Sequence, residues 1–405
     1  MTQSLTHVII GGGAAGFFGA ISCAEHFPGH QVILLEKTRQ LLSKVRISGG
    51  GRCNVTHACF DPKQLVKNYP RGSKELLGPF HRFQPQDTVQ WFERRGVKLK
   101  TEEDGRMFPV TDSSETIITC LQNAARQAGV EIRIEQGVEK IDKTDTGFCL
   151  HLSNGSSLNS DRLLIATGSA SKIYGLVEQL GHSCVPLVPS LFTFNTPQSP
   201  FLALAGISVL RAKVSLPELN QSHTGPLLIT HWGFSGPAVL KLSAWAAREL
   251  HAKDYQAKLV INWLPELQEG EVRQHLQENK RLLSAKQTGT ESLFDLPKQL
   301  WRKLISLAEI DPEQRWSTVT NKQVNFLIHG LLNTTCQIQG KTTYKVEFVT
   351  CGGVSLDEVN FKTMESKLCP RLFFAGEVLN IDGITGGFNF QNAWTTGWIA
   401  GQSMG

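Results

Sequence analysis

The chain has 405 residues, 40% apolar and 19% charged; that balance excludes a disordered chain, and at ~150 residues per domain the length excludes a single ordinary one. The net charge is +5 and the pI near 8.7, a mild basicity that permits an anionic partner without requiring one. Nine dispersed cysteines, an odd count, exclude a disulfide framework and suit a reduced, cytoplasmic setting. The apolar run 8–24 is broken by five glycines, is shorter than the ~20 residues of a membrane span and has no basic residue before it, so neither an anchor nor a secretory leader is expected.

In chain order, residues 7–10 read as a strand, 11–16 as a glycine turn, 14–27 as a helix and 31–36 (QVILLE) as a second strand. A basic stretch comes next, with Lys37, Arg39, Lys44, Arg46 and Arg52, and ends in Ser-Gly-Gly-Gly-Arg-Cys-Asn at 48–54. Helix and strand then alternate as far as 162–168 (RLLIATG). After 185–189 (VPLVP) the pattern changes to β-type runs at 207–216, 226–230 and 255–263, with charged helical stretches at 267–308. Val324, Leu327, Ile328 and Leu331 recur at i, i+3, i+4 and i+7, which predicts an amphipathic helix over 321–332. Near the C-terminus the opening pattern returns, with a strand at 371–375, a glycine-rich loop and a helix from about 392. The expected organisation is an α/β domain of residues 1–190 and 345–405, interrupted by a β and helical insert at 191–344.

Gly11-Gly12-Gly13-Ala14-Ala15-Gly16 satisfies G-x-G-x-x-G between a strand and a helix. The first glycine makes the turn, the second admits a pyrophosphate to the backbone, and the third lets helix pack on strand. The helix N-terminus then offers N–H groups and a positive dipole end to phosphates. Glu36, 20 residues after Gly16 at the end of the next strand, suits an adenosine ribose and repels a 2′-phosphate. That unit indicates a dinucleotide without saying which. The C-terminal return favours FAD over NAD, because a ribityl chain and ring extend beyond the first βαβ unit. Gly376-Glu377, Asp382 and Gly386-Gly387-Phe388-Asn389 supply a strand end, carboxylates for ribityl hydroxyls and N–H groups at a helix start. With only one such fingerprint present, NAD(P)H is expected as a transient electron donor and not as a resident cofactor.

These residues resemble the BaiN/RdsA-like NAD(P)/FAD-dependent oxidoreductases, a flavoprotein family that includes aminoacetone oxidases. The resemblance runs through IIGGGAAG (9–16), SGGGRCNVT (48–56), GRMFPVTDSS (105–114), IATG (165–168), THWGFSGPAVLKLS (230–243), TCGGVSLDEVNFKTMESK (350–367) and FFAGEVLNIDGITGGFNFQNAW (373–394). It implies a glutathione-reductase-like FAD-binding domain with an inserted β-barrel and helical subdomain. It also implies that Gly11, Gly13, Ala15, Gly16 and Glu36 hold the ADP half, with Lys37 and Lys44 nearby. Gly50, Gly51, Arg52, Cys53 and Asn54 would line the flavin, Val138 the adenine, and Thr167 and Gly168 the ribityl side. Gly376, Glu377, Asp382, Gly387, Phe388 and Asn389 would close the ring site. Two features depart from the family: the loop 169–175 is short, and His57 stands where members often have Asn.

Cys53, His57 and Cys59 contain metal-ligand types, but no second Cys/His pair at matching spacing completes a site, so no metal is expected. Cys53 is a candidate proton donor, with packing the favoured role. His231 is either an acid–base group or a turn cap. The basic run 37–52 serves as a solvated face, a phosphate cradle or an RNA path. The expected activity is hydride transfer between flavin N5 and a substrate C=C or C–N bond, with a small-molecule substrate bound between insert and FAD domain. Three classes of chemistry stay open within the family: reduction of a uracil ring in ribosomal RNA, reduction of an enone, and O₂-dependent oxidation of an amine such as aminoacetone. A non-catalytic, flavin-bearing RNA-binding factor is the rival from another class.

Overall fold

The computed structural model describes residues 4–342 and 349–405. The chain divides into two compact units, Met1–Pro189 with Lys345–Gly405, and Ser190–Tyr344.

In the first unit a parallel sheet is built from β1 (Thr6–Ile10), β2 (Gln31–Leu35), β3 (Glu131–Arg133), β4 (Arg162–Ile165) and, from the far end of the chain, β6 (Leu372–Phe374), in the order β6-β4-β1-β2-β3. Between β4 and β6 come α2 (Ser171–Gln179) and β5 (Val349–Val354), which pairs with Cys184–Ser190. Two short antiparallel strands, Glu365–Ser366 and Val359–Asn360, extend the β6 edge. The sheet strands read as unbroken apolar runs because both faces are covered: Val8, Ile9, Leu34, Leu163, Leu164 and Phe374 are fully enclosed. Strand order reverses on either side of β1, which makes the carboxyl ends of β1 and β4 the place where doubly wound sheets bind ligands.

The helix α1 (Ala14–His26) is buried from Ala15 through Ala24, as befits a helix apolar on every side. It is covered by α3 (Phe388–Ser403), whose approach depends on bare backbone. A Cβ on Gly397 would lie 2.6 Å from the Ala15 carbonyl oxygen, and one on Gly401 2.4 Å from that of Gly19. The helix α3 starts four residues earlier than the sequence suggests. Gly387, at φ +93°, turns the chain into it, and the buried Tyr69 hydroxyl donates to the Phe388 carbonyl oxygen at 2.6 Å. The basic stretch also contains a short helix at Ser43–Gly51, interrupted by non-helical Ser48, Gly49 and Gly50.

The second unit is a seven-stranded antiparallel sheet in the order Thr334–Gln339, Gln256–Asn262, Ser208–Leu216, Gln221–Ile229, Gly233–Ser235, Thr193–Asn195 and Lys341–Thr342. Its first and last strands are separated in the chain by Gly340 alone, so the ladder closes on itself as a barrel. The core of that barrel continues into Glu269–Leu282, Lys298–Leu307 and Asn321–Asn333, where Val324, Leu327, Ile328 and Leu331 are buried as their spacing predicts.

Both the helix contact and the sheet interior can be tested. Gly401→Val forces methyl groups into the α1–α3 contact and lowers stability by about 1–3 kcal/mol, whereas Gly29→Ala, which meets no atom within 4 Å, leaves the urea midpoint nearly unchanged. His7 is fully buried on β1 with Nε2 2.6 Å from His30 Nδ1. Burial first, then His30 and Arg162, push its pKa down to about 4, while Asp161 pulls it upward. The unfolded chain therefore binds a proton near pH 6.5 that the folded chain refuses until about 4. Stability falls as pH drops through that window, and His7→Phe flattens that slope in urea titrations at stepped pH.

Candidate functional site

At the switch point the glycine turn is fixed by contact on one side and open on the other. Gly11 has φ +114°, and a Cβ there would sit 2.5 Å from the Ala166 carbonyl oxygen at the end of β4. A Cβ on Gly16 would be 1.9 Å from the Gly11 carbonyl oxygen, so α1 lies directly on the turn. A Cβ on Gly13 would meet nothing within 4 Å. No side chain caps α1 and no acid occupies its first turn, which leaves its N–H groups and positive end facing that opening.

Glu36 stands at the end of β2. Its Oε2 accepts the Gly12 N–H at 2.9 Å, and its Oε1 accepts the N–H and hydroxyl of Thr38, each at 2.9 Å. Its backbone oxygen accepts the Gln136 N–H, which runs residues 136–138 alongside. Lys37 thereby packs beside Gly137, one residue before Val138.

The Ser48–Asn54 bend needs four unusual conformations in close succession, with Gly49, Gly50 and Gly51 at φ +58°, +69° and +86°, then Cys53 at +62°. A Cβ on Gly49 would press on Phe108, whereas Gly50 and Gly51 meet nothing within 4 Å. Arg52 turns back onto the protein: its guanidinium lies 4.0 Å above Phe108 and binds Glu102 at 2.7 Å, a carboxylate shared with Arg106. The Cys53 thiol is wholly enclosed, and burial pushes its pKa up to about 12 against a small opposing bond from Ser48. Asn54, oriented to satisfy both ends of its amide, accepts the Gly387 N–H and donates to the Thr56 carbonyl oxygen, each at 3.0 Å. The bend is thereby joined to the start of α3. His57 stacks on Phe388 at 4.7 Å and is held 3.1 Å from the Asp104 carbonyl oxygen.

Gly376 and Glu377 follow β6 after Ala375. A Cβ on Gly376 would lie 2.8 Å from that of Ala15, so the two termini of the unit meet here. Glu377 pairs with Lys44 at 2.6 Å and accepts the Thr350 N–H at 3.3 Å; Gly168 lies directly against its carboxylate. The buried Thr167 hydroxyl has no protein partner among the described residues. Asp382 is fully buried with both oxygens bonded to Arg71, so it is held by an ion pair that the sequence did not signal. The Asn389 side chain is bonded twice to Gly383, at 2.8 and 2.9 Å, which fixes it against the loop before the helix.

His231 belongs to the second unit, at the tip of the turn after Gln221–Ile229. Thr230 closes that turn through the N–H groups of Trp232 and Gly233, and His231 is exposed, so it is not the turn's cap.

A sheet with this order and this glycine turn defines a Rossmann-type FAD-binding architecture. Solved structures that share it include the following two. One is a 3-ketosteroid-delta4-(5alpha)-dehydrogenase from Rhodococcus jostii RHA1, with a TM-score of 0.53 and 14% identity over 100% of this chain and 98% of that one. The other is an open-conformation flavocytochrome c3 fumarate reductase, with a TM-score of 0.51 and 16% identity over 100% and 78%. The model of the HI0933-like protein Rossmann domain matches residues 5–403. A ribosomal RNA dihydrouridine synthase of Escherichia coli (strain K12) is 31% identical over 98% of this chain and 97% of its own. A 3-dehydro-bile acid delta(4,6)-reductase of Clostridium scindens is 30% identical over 98% of each. The chain belongs to the HI0933-like family of BaiN/RdsA-like flavoproteins, and it is an FAD-dependent oxidoreductase. The residues present fit FAD: Gly13, Gly50 and Gly51 front open space, α1 is uncapped, and the buried Thr167 hydroxyl, next to Gly168, has no protein partner among the described residues.

Arg71 tests the frame of this site. Arg71→Met strips the buried Asp382 carboxylate of its guanidinium and lowers stability by about 3–5 kcal/mol in denaturant unfolding. Replacing both partners, Arg71→Met with Asp382→Leu, recovers much of that loss.

Proposed function

We propose that the chain is a flavin-dependent reductase that saturates a C=C bond conjugated to a carbonyl, with NAD(P)H as a transient electron donor. The observation that carries this reading is the junction of the Ser48–His57 segment with the start of α3, where Asn54 meets Gly387 and Gly50 and Gly51 face open space. The relatives' names favour the substrate class, because a uracil ring and an enone share that conjugated bond.

When bound, FAD supplies a two-electron centre whose N5 exchanges hydride with substrate. In this reading Gly11, Gly13, Ala15 and Gly16 hold the pyrophosphate at the α1 N-terminus, and Glu36 accepts from the adenosine ribose. Lys37 and the backbone of Val138 flank the adenine. Thr167, Gly168, Gly376 and Glu377 take the ribityl chain, and Lys44 neutralises Glu377. Gly50, Gly51, Asn54, Gly387, Phe388 and Asn389 border the ring. The uncapped start of α3 would offer its N–H groups to the negative charge a reduced flavin carries. Arg52, Cys53 and Asp382 shape these loops, through Glu102, close packing and Arg71 respectively. Of the two acid–base candidates, Cys53 is enclosed and suited to packing, whereas the His231 imidazole is exposed to solvent. A cytoplasmic setting accords with the nine cysteines.

An anaerobic visible spectrum tests this. The flavin band bleaches with NADH or NADPH and returns slowly in air, and an enone or a uridine-containing RNA restores it faster than air does. A band indifferent to both nicotinamides that bleaches with aminoacetone would replace the reductase by an oxidase. Protein with no flavin band after FAD is added back would sink the reading.

A further inference from the structure

The short loop after Gly168 starts α2 at Ser171, only three residues on, and α2 packs against β5. Two side chains from these elements come near Glu377, and neither is among the cofactor residues assigned above. Tyr174 of α2 is 8% exposed and Thr350 of β5 is 4% exposed. Both hydroxyl oxygens are buried and find no protein partner among the described residues, as is true of Thr167. Thr350 is tied to the Glu377 carboxylate by its N–H at 3.3 Å. Tyr174 is close enough to sense the same charge: burial first, then Glu377 and Cys184, push its phenol pKa up, so it stays a proton donor throughout neutral pH.

Buried hydroxyls in native proteins are almost always bonded, and an unpaired one costs stability. Thr350 bonds the Glu377 carboxylate through its N–H, Tyr174 feels its charge, and Thr167 precedes Gly168, which lies against it, so three unpartnered hydroxyls come from residues linked to one acid. Such a set, one carboxylate acceptor among several hydroxyl donors, complements a polyol next to a phosphate. Resting on the FAD reading above, we propose that Tyr174 and Thr350 are FAD-binding residues whose hydroxyls, with that of Thr167, donate to the oxygen-rich ribityl–phosphate middle of the cofactor beside Glu377.

The test separates a ligand-binding role from a structural one by the sign of two effects. FAD is titrated, by quenching of its fluorescence, into full-length chain freed of flavin, for wild type, Tyr174→Phe, Thr350→Val and the double variant. Each single change weakens FAD binding about fivefold to tenfold, the range for one lost hydrogen bond. The thermal midpoint of the flavin-free protein stays level or rises, because an unpaired hydroxyl has been removed. A wild-type FAD affinity in the double variant would overturn the proposal. So would a flavin-free midpoint that drops as far as the FAD-loaded one, which marks both residues as packing alone. Wild-type chain that takes up no FAD would overturn this proposal together with the reading beneath it.

Discussion

The closeness with which α1 approaches its neighbours governs the first unit. The helix touches the glycine turn at Gly16, the Gly376 turn at Ala15, and α3 at Gly397 and Gly401, and at each point one partner has no side chain. A Cβ at any of these glycines would have to displace an atom that now lies within 3 Å. Protein interiors do not yield by that much without cost. The contact thus fixes the end of β1, the loop after β6 and the start of α3 relative to one helix. Every loop assigned to the dinucleotide is attached to one of those three places.

The polar groups gather around the same helix ends. Neither α1 nor α3 carries a side-chain cap at its N-terminal end, and Gly13, at the start of α1, fronts open space. Around that opening, charge is instead held in short-range pairs: Lys44 on Glu377, Arg71 on Asp382, Arg52 on Glu102. Of these pairs Arg71 with Asp382 alone is deeply buried, and it ties the 382–389 loop to the segment before Ser73–Arg82. The others lie at the rim, where solvent weakens them, so their value is in orientation more than in stability.

How much of this is legible in the sequence depends on distance along the chain. The glycine turn with Glu36 is a local pattern whose parts report on one another within 30 residues, and its geometry stems from glycine's freedom and the helix end alone. The barrel strands and Asn321–Asn333 are legible for the same reason, since periodicity is local. Arg71 is not, because its partner is 311 residues away and a lone arginine between two turns carries no pattern. A start for α3 at about 392 is too late because Gly-Gly-Phe-Asn looks like a loop. Only the structure shows Gly387 turning the chain, with Tyr69 and Asn54 fastening the first turn of the helix in place. The helix within the basic stretch is hidden by the glycines that interrupt it.

Tyr174 illustrates a different kind of illegibility. As sequence it is one aromatic residue at a helical position, and its burial is what any packing tyrosine would show. Its significance depends on what its hydroxyl lacks, and that is a property of the finished fold: the carboxylate beside it is already engaged by Lys44 and by the Thr350 backbone. A hydrophobic core would favour phenylalanine there, because the extra oxygen adds only a desolvation cost. Three such oxygens on residues linked to one acid are hard to reconcile with packing as their purpose. They make sense as the half of a hydrogen-bonding set that the protein contributes, the other half arriving with the cofactor.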